Sequence, residues 1–230
     1  MGVFVWKLLP RFETDFIHSS SGLLQILLAW SKSSKYHRFF NRTRDGAGES
    51  SRILEKACKV LENSATNSKV IMTILTVIHN LVSDDEATME ADESSLGVQI
   101  VLREMESILN YFQSWIKSSN EGVRNISKVG IKLDILITLA PHVSSSETSL
   151  TLFKQLLVLS SSLKKSESVL KVLTISKLLV TKVGAAEAPA LMTDLVPMYG
   201  RLSSRNERLE LSAVVENCAT LGKLGIKYRA

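Results

Sequence analysis

The chain is poor in cysteine, proline and aromatic residues, and each shortage excludes a class of structure. Its two cysteines, Cys58 and Cys218, lie far apart, so they provide neither a disulfide framework nor zinc-ligand spacing. We expect both thiols to be buried and inert in a reducing compartment. Aromatics make up only 6% of residues, and no stretch shows sustained alternation of polar and apolar residues between turn pairs such as Asn-Gly. The sequence therefore argues against a β-sheet fold.

Catalytic and cofactor-binding motifs are also missing. There is no Gly-x-Gly-x-x-Gly, no Walker lysine loop and no Gly-x-Ser-x-Gly elbow. The four histidines, His18, His37, His79 and His142, have no second His or Cys at helical spacing. We therefore predict no catalytic, cofactor-binding or metal site and no enzymatic activity. The alternative is an enzyme whose site forms only on folding.

Features that would direct the chain to a membrane are lacking as well. The segment Met1–Lys7 has neither the basic region nor the apolar core of a secretory signal. The densest apolar run, Leu23 to Trp30, is too short to cross a bilayer. We expect no membrane partner. The net charge of +5 permits an acidic or RNA-rich partner without requiring one.

What the chain does contain is aliphatic residues at three- and four-residue steps, the pattern of amphipathic helices. The pattern repeats with a period of roughly 35 to 45 residues: an apolar run, a polar break and a second apolar run. Two earlier apolar segments, 3–18 and 23–30, precede the clear pairs. The predicted helix pairs are 53–61 with 70–82, 98–116 with 126–140, 150–163 with 172–183, and 189–202 with 211–221.

This period predicts an all-α fold, a HEAT/ARM-like (armadillo-like) α-solenoid of stacked antiparallel helix pairs. We predict one segment over residues 1–230 with about four to five pairs, as part of a longer repeat array. Pro197 should bend the first helix of the last pair, as in many HEAT repeats. Val123-Arg124 and Glu207-Arg208 should open second helices. The acidic stretch 83–95 is predicted to be a loop, either a solvated linker or a contact for a basic partner.

One basic cluster suggests a binding site. It interleaves aromatic residues with cations, and consists of Lys32, Lys35, Arg38, Arg42 and Arg44 with Tyr36, Phe39 and Phe40. Basic side chains neutralise phosphates and exposed aromatics stack on unpaired bases, so the cluster is a candidate RNA or partner site. The alternative is that the aromatics belong to the core and the basic residues form a solvated rim.

Several segments, in order along the chain, resemble the small-subunit processome component 20 family, also called the down-regulated-in-metastasis family. These are Val5-Trp6, Leu23 to Ser31, Lys35-Tyr36, Ile108 to Phe112, Ser203 to Arg205 and Leu224 to Tyr228. The resemblance is to the middle region of a very large HEAT-repeat protein. It implies a non-catalytic nucleolar scaffold in the nucleus that associates with proteins, the U3 small nucleolar ribonucleoprotein and pre-ribosomal RNA, in rRNA processing and small-subunit ribosome biogenesis.

Family members are many times longer, so the resemblance implies a fragment or a truncated product. The apolar start, including Val3, Phe4 and Trp6, is then expected to promote self-association. The alternative function is a generic HEAT-repeat adaptor in nuclear transport or trafficking, whose concave face grips a peptide. Neither function involves a small-molecule substrate.

Overall fold

A computed structural model of the chain describes residues 22–40, 53–62, 68–83, 96–120 and 129–227. Within these ranges all regular secondary structure is helical, and most of the helices pack against at least one other helix. The prediction of an all-α helical-repeat fold is therefore confirmed. The predicted features at residues 3–18, 84–95 and Val123-Arg124 lie outside the described residues.

The described residues contain eleven α-helices and two 3₁₀-helices, numbered here in chain order. In the first part of the chain they are α1 Gly22–Ser31, α2 Ser34–His37, α3 Ile53–Glu62, α4 Ser68–Val82, α5 Leu96–Arg103 and α6 Met105–Asn120. The rest are α7 Val129–Leu139, the 3₁₀-helix Ala140–His142, α8 Ser146–Ser162, α9 Ser166–Val180, α10 Ala188–Leu195, the 3₁₀-helix Val196–Arg201 and α11 Arg205–Lys227.

The chain divides into two compact units, Met1–Phe112 and Gln113–Ala230. In unit 1, α4 is the central helix, because α1, α3 and α5 all pack against it. Its side chains Ile74, Leu75, Ile78 and Leu81 are no more than 1% exposed. The short helix α2 packs against α1 and α5, which fixes its position in this unit.

A glycine allows the start of α5 to approach its neighbours closely. A Cβ atom at Gly97 would overlap the Leu81 carbonyl oxygen at the end of α4 and lie 3.0 Å from His37 Nδ1 in α2. Backbone atoms cannot move aside as a flexible side chain can, so only glycine fits this position. The absence of a side chain at Gly97 thus allows α2, α4 and α5 to pack closely in unit 1.

In unit 2, consecutive second helices lie side by side. The helix α9 packs against its partner α8, against the preceding second helix α7 and against the following one, α11. Its residues Val172, Leu173, Ile175 and Leu179 are no more than 1% exposed. The helix α10 packs against both α11 and α8. Each helix pair therefore buries its apolar face against the next pair, as expected for repeats that cannot form a core alone.

The N-terminus of α11 is closed by a capping box. The Glu207 backbone N–H donates to Ser204 Oγ at 3.1 Å, and the Ser204 N–H donates to Glu207 Oε2 at 3.0 Å. The Ser203 N–H donates to the same oxygen at 2.9 Å. Burial alone would raise the pKa of the Glu207 carboxyl, but hydrogen bonds from Ser166, Ser204 and Ser203 outweigh it and lower the pKa. A buried carboxylate thus fixes this turn.

Three prolines lie at or next to helix ends. Pro189 lies in the first turn of α10, and Pro141 lies in the 3₁₀-turn that follows α7. The helix α10 ends at Leu195, and the chain continues as a 3₁₀-helix over Val196–Arg201 that contains Pro197. Pro197 has no N–H for the α-helical ladder, which explains the change of helix type.

The predicted helix over 98–116 is wrong in one respect, because the structure divides it into α5 and α6. At Glu104 the backbone N–H donates to the Val101 carbonyl at 3.0 Å. This hydrogen bond, to the residue three positions earlier, is of the 3₁₀ type and replaces the α-helical bond to the residue four positions earlier. Neither proline nor glycine marks this break in the sequence.

On several helices the buried face is also narrower than the pattern of apolar residues suggests. Several predicted core residues at the edges of the stripes are half-buried: Ile71, Val82, Val98, Leu102, Met105, Ile137, Leu150, Leu163, Leu178, Val215 and Leu221.

Replacing Gly97 with alanine should destabilise the chain by about 3 kcal/mol, because the new Cβ must displace the Leu81 backbone. Gly130→Ala is the matched control, since Gly130 is likewise the second residue of its helix but has no atom within 4 Å of the added Cβ. That variant should gain up to about 1 kcal/mol from helix propensity. Chemical denaturation followed by circular dichroism measures both, and equal stability of the two variants would contradict the close approach.

Candidate functional site

The described part of the predicted basic cluster lies on α2 and the turn that follows it. Lys35 Nζ lies 5.1 Å from the centroid of the Tyr36 ring, and the Arg38 guanidinium carbon lies 5.4 Å from that of Phe39. The Phe39 ring in turn lies 5.1 Å from Trp30 and 6.2 Å from Tyr36. We call these five residues the α2 surface. It places two cations beside a row of three aromatic rings.

Buried polar contacts hold this surface in place. His37 is 1% exposed, and its Nε2 donates to the Ser31 carbonyl oxygen at 3.0 Å. Ser31 Oγ donates to the Leu28 carbonyl at 2.9 Å and accepts from Asn80 Nδ2 of α4, also at 2.9 Å. The turn between α1 and α2 is thereby attached to the central helix of unit 1. A fixed platform of this kind retains its geometry when a partner binds.

The structure brings together some of the predicted site residues and leaves others undescribed. Lys32, Lys35 and Arg38 are all exposed, whereas Arg42 and Arg44 lie outside the described residues. Tyr36 is 37% exposed, Phe39 is half-buried and Phe40 is fully buried. The alternative interpretation of the aromatics as core therefore holds for Phe40 but not for Tyr36. Exposed cations can bind phosphates, and an accessible ring beside them can stack on a base.

A buried lysine in unit 2 is a feature that the sequence analysis missed. Lys132 of α7 is only 5% exposed, and its Nζ lies 4.2 Å from the centroid of the Trp115 ring. Burial lowers the pKa of Lys132 to about 8. Its position within the apolar run Ile131 to Leu139 is the one sequence signal that could have identified it.

The two thiols are buried, as predicted, and unbonded to each other. Burial raises the pKa of both cysteines, that of Cys218 to about 11, which disfavours the reactive thiolate. Among the described residues, no three His, Cys, Asp or Glu side chains are grouped so that they could hold a metal ion. No helix in the described part of the chain combines the length and hydrophobicity that a membrane span needs.

The fold places the chain among the all-α helical-repeat proteins. Residues 1–223 match the family model described as U3 small nucleolar RNA-associated protein 20, N-terminal. This match covers nearly the whole chain, so the chain belongs to that family, and the family resemblance noted in the sequence is confirmed. The expected position in the middle region is not confirmed, because the matching model is described as N-terminal. No curated protein matches the chain in sequence.

The lowered pKa of Lys132 predicts a specific pH dependence of stability. Between its folded pKa of about 8 and its ordinary value of 10.5, the unfolded chain binds a proton that the folded chain does not. The contribution of Lys132 to the unfolding free energy therefore rises with pH across this window, by about 3 kcal/mol in total. The difference in stability between the wild type and Lys132→Met should shift by this amount in favour of the wild type from about pH 7 to about pH 11.

Urea denaturation at several pH values measures this difference. Because both chains contain the same cysteines and tyrosines, subtracting their unfolding free energies removes the contribution of those groups. Lys154→Met is the control, because Lys154 is exposed on α8. Its stability difference from the wild type should stay nearly constant. A constant difference for Lys132→Met as well would show that Lys132 keeps its ordinary pKa in the folded chain.

Proposed function

We propose that the chain is a non-catalytic helical-repeat scaffold of the small-subunit processome, acting in pre-ribosomal RNA processing and small ribosomal subunit biogenesis. The observation that carries this proposal is the family match over residues 1–223 to a model named for association with the U3 small nucleolar RNA. The proposed location is the nucleolus. The proposed partners are proteins and pre-ribosomal ribonucleoprotein, including the U3 particle and pre-ribosomal RNA, with no small-molecule substrate.

The helix packing supports a scaffold role of the HEAT type. In unit 2 the second helices pack side by side, and the first helix of the last pair changes to a 3₁₀-helix at Pro197. Such arrays bury only the faces between neighbouring pairs and leave their loops and outer faces exposed for partners. Binding through extended exposed surfaces needs no deep pocket with convergent polar groups, unlike most enzyme sites.

Expressed with an affinity tag in human or yeast cells, the 230-residue chain should sediment with large pre-ribosomal particles and co-purify U3 RNA. RNase treatment before centrifugation should move it to light fractions. These results follow if the chain is held by assembled ribonucleoprotein. A chain that stays in light fractions without RNase and recovers transport or trafficking proteins instead would support the generic adaptor and exclude the processome role.

Within this proposal, the α2 surface contacts RNA directly. Lys35 and Arg38 would each neutralise one phosphate, while Tyr36 provides an accessible ring for a base. Each phosphate contact on a single strand adds about 0.7 to the slope of log affinity against log salt.

The double variant Lys35→Gln/Arg38→Gln should therefore reduce the steepness of this slope by about 1.4 and weaken binding at low salt. Fluorescence anisotropy with a labelled oligouridylate of 20 nucleotides measures both quantities.

Lys59→Gln/Lys69→Gln removes the same charge from exposed positions on α3 and α4 and serves as the control. Its slope should stay close to that of the wild type. Equal effects of the two double variants would mean that net charge alone determines binding, and would remove the α2 surface from the proposal.

A further inference from the structure

A second group of exposed basic residues lies in unit 2, where the chain turns from first to second helices. It comes from the loop between α8 and α9, from the end of the second 3₁₀-helix and from the start of α11. Its members are Lys164, Lys165, Arg201, Arg205 and Arg208, all of them exposed. We call this group the basic edge.

Direct contacts show that these loops lie at one edge. Ser166 Oγ, at the start of α9, lies 3.5 Å from Ser204 Oγ, just before α11. Lys164 and Arg201 line a common cleft together with Ser166 and Ser203. Because α9 and α11 both begin here, the partial positive charge of their N-termini adds to that of the side chains. Two helix pairs therefore contribute basic side chains to the same edge.

Two acidic side chains near this edge, Glu207 and Glu167, have hydrogen-bond or ion-pair partners. Glu207 is 2% exposed, and its carboxylate accepts hydrogen bonds from the Ser203 and Ser204 backbone. Glu167, in the first turn of α9, forms an ion pair with Lys171 at 3.1 Å. These two carboxylates offset only part of the charge, because five cations lie at the same edge, so the basic edge stays positively charged.

An aromatic ring extends this surface. Tyr199 is 52% exposed, and the Arg208 guanidinium carbon lies 5.9 Å from its ring centroid. Arg208 Nε and Nη2 also donate to the Leu202 carbonyl, at 3.3 and 3.2 Å. The ring is thereby held next to the charged loops by a guanidinium that is itself fixed by the backbone.

We propose that the basic edge binds single-stranded RNA, with Lys164, Lys165, Arg201 and Arg205 on phosphates and Tyr199 stacked on a base. The inference rests on the proposed function, because it names the surface through which the scaffold grips RNA. Charge alone would also suit an acidic peptide. The exposed, oriented ring of Tyr199 favours RNA, since every base presents a flat face to stack on.

The test uses the full 230-residue chain and the labelled oligouridylate of 20 nucleotides. The triple variant Lys164→Gln/Lys165→Gln/Arg201→Gln should lower the steepness of the salt dependence by about 2, from three lost phosphate contacts. The matched control is Lys117→Gln/Lys154→Gln/Lys182→Gln, which removes the same charge from exposed positions elsewhere in unit 2. Its slope should stay within about 0.5 of the wild-type value. Circular dichroism checks that both triple variants are folded.

Tyr199 provides a second, charge-neutral readout. Tyr199→Ala should weaken RNA binding by on the order of tenfold, whereas Tyr199→Phe should keep nearly all of the affinity because it keeps the ring. Equal losses for both would contradict stacking.

The remaining outcomes also decide the inference. Equal slopes for the two triple variants would overturn the basic edge as an RNA site. The same conclusion would follow if polyglutamate displaced the labelled RNA as effectively as unlabelled oligouridylate does. A wild-type chain that fails to bind oligouridylate but still sediments with pre-ribosomal particles would overturn this inference and the α2 surface as an RNA site, and would leave the proposed scaffold role in the processome standing. A chain that binds RNA through the basic edge but never joins these particles would overturn the proposed function and leave RNA binding at the basic edge standing.

Discussion

The burial of α9 on three sides is the interaction on which unit 2 depends. The helix contacts α7, α8 and α11, and most of its apolar residues are shielded from solvent. Each largely buried aliphatic side chain contributes about 1.5 to 3 kcal/mol relative to an exposed one, so this helix supplies much of the driving force for packing its neighbours. Because a single helix pair cannot cover such a helix, the pairs must assemble side by side.

This packing determines where polar residues can act. Second helices that lie side by side place their N-termini, and the loops before them, at one edge. The loops need not contribute to the core, so they can carry lysine, arginine and an exposed tyrosine. A similar combination of cations and rings occurs on the α2 surface in unit 1. In both units, charge and aromatic residues are found at turns that buried polar contacts hold in place.

Much of the fold could be predicted from the sequence, because helical periodicity directly reflects which face is buried. The predicted runs 70–82 and 172–183 overlap α4 and α9, and the run 189–202 overlaps α10 and the 3₁₀-helix that follows it. The break at Glu104 could not be predicted, because the sequence has neither proline nor glycine at this point. Lys132 was missed because its contact with the Trp115 ring joins two residues that lie on different helices.

The candidate sites were predicted less completely. Lys35, Arg38 and Tyr36 were identified because they are adjacent in sequence. The basic edge combines Lys164 with Arg201, and only the packing of two helix pairs brings these residues together. Sequence clustering finds local sites, whereas a site assembled from successive repeats needs the three-dimensional arrangement.

The buried carboxylate of Glu207 has a consequence for the entropy of binding at the basic edge. By tying the backbone of Ser203 and Ser204 to α11, it removes conformational freedom from the loop during folding. A ligand that later arrives at this edge does not have to immobilise the loop itself, so little entropy is lost at the moment of contact. A chain segment whose charges match this fixed spacing is then favoured over one that would require the loop to rearrange.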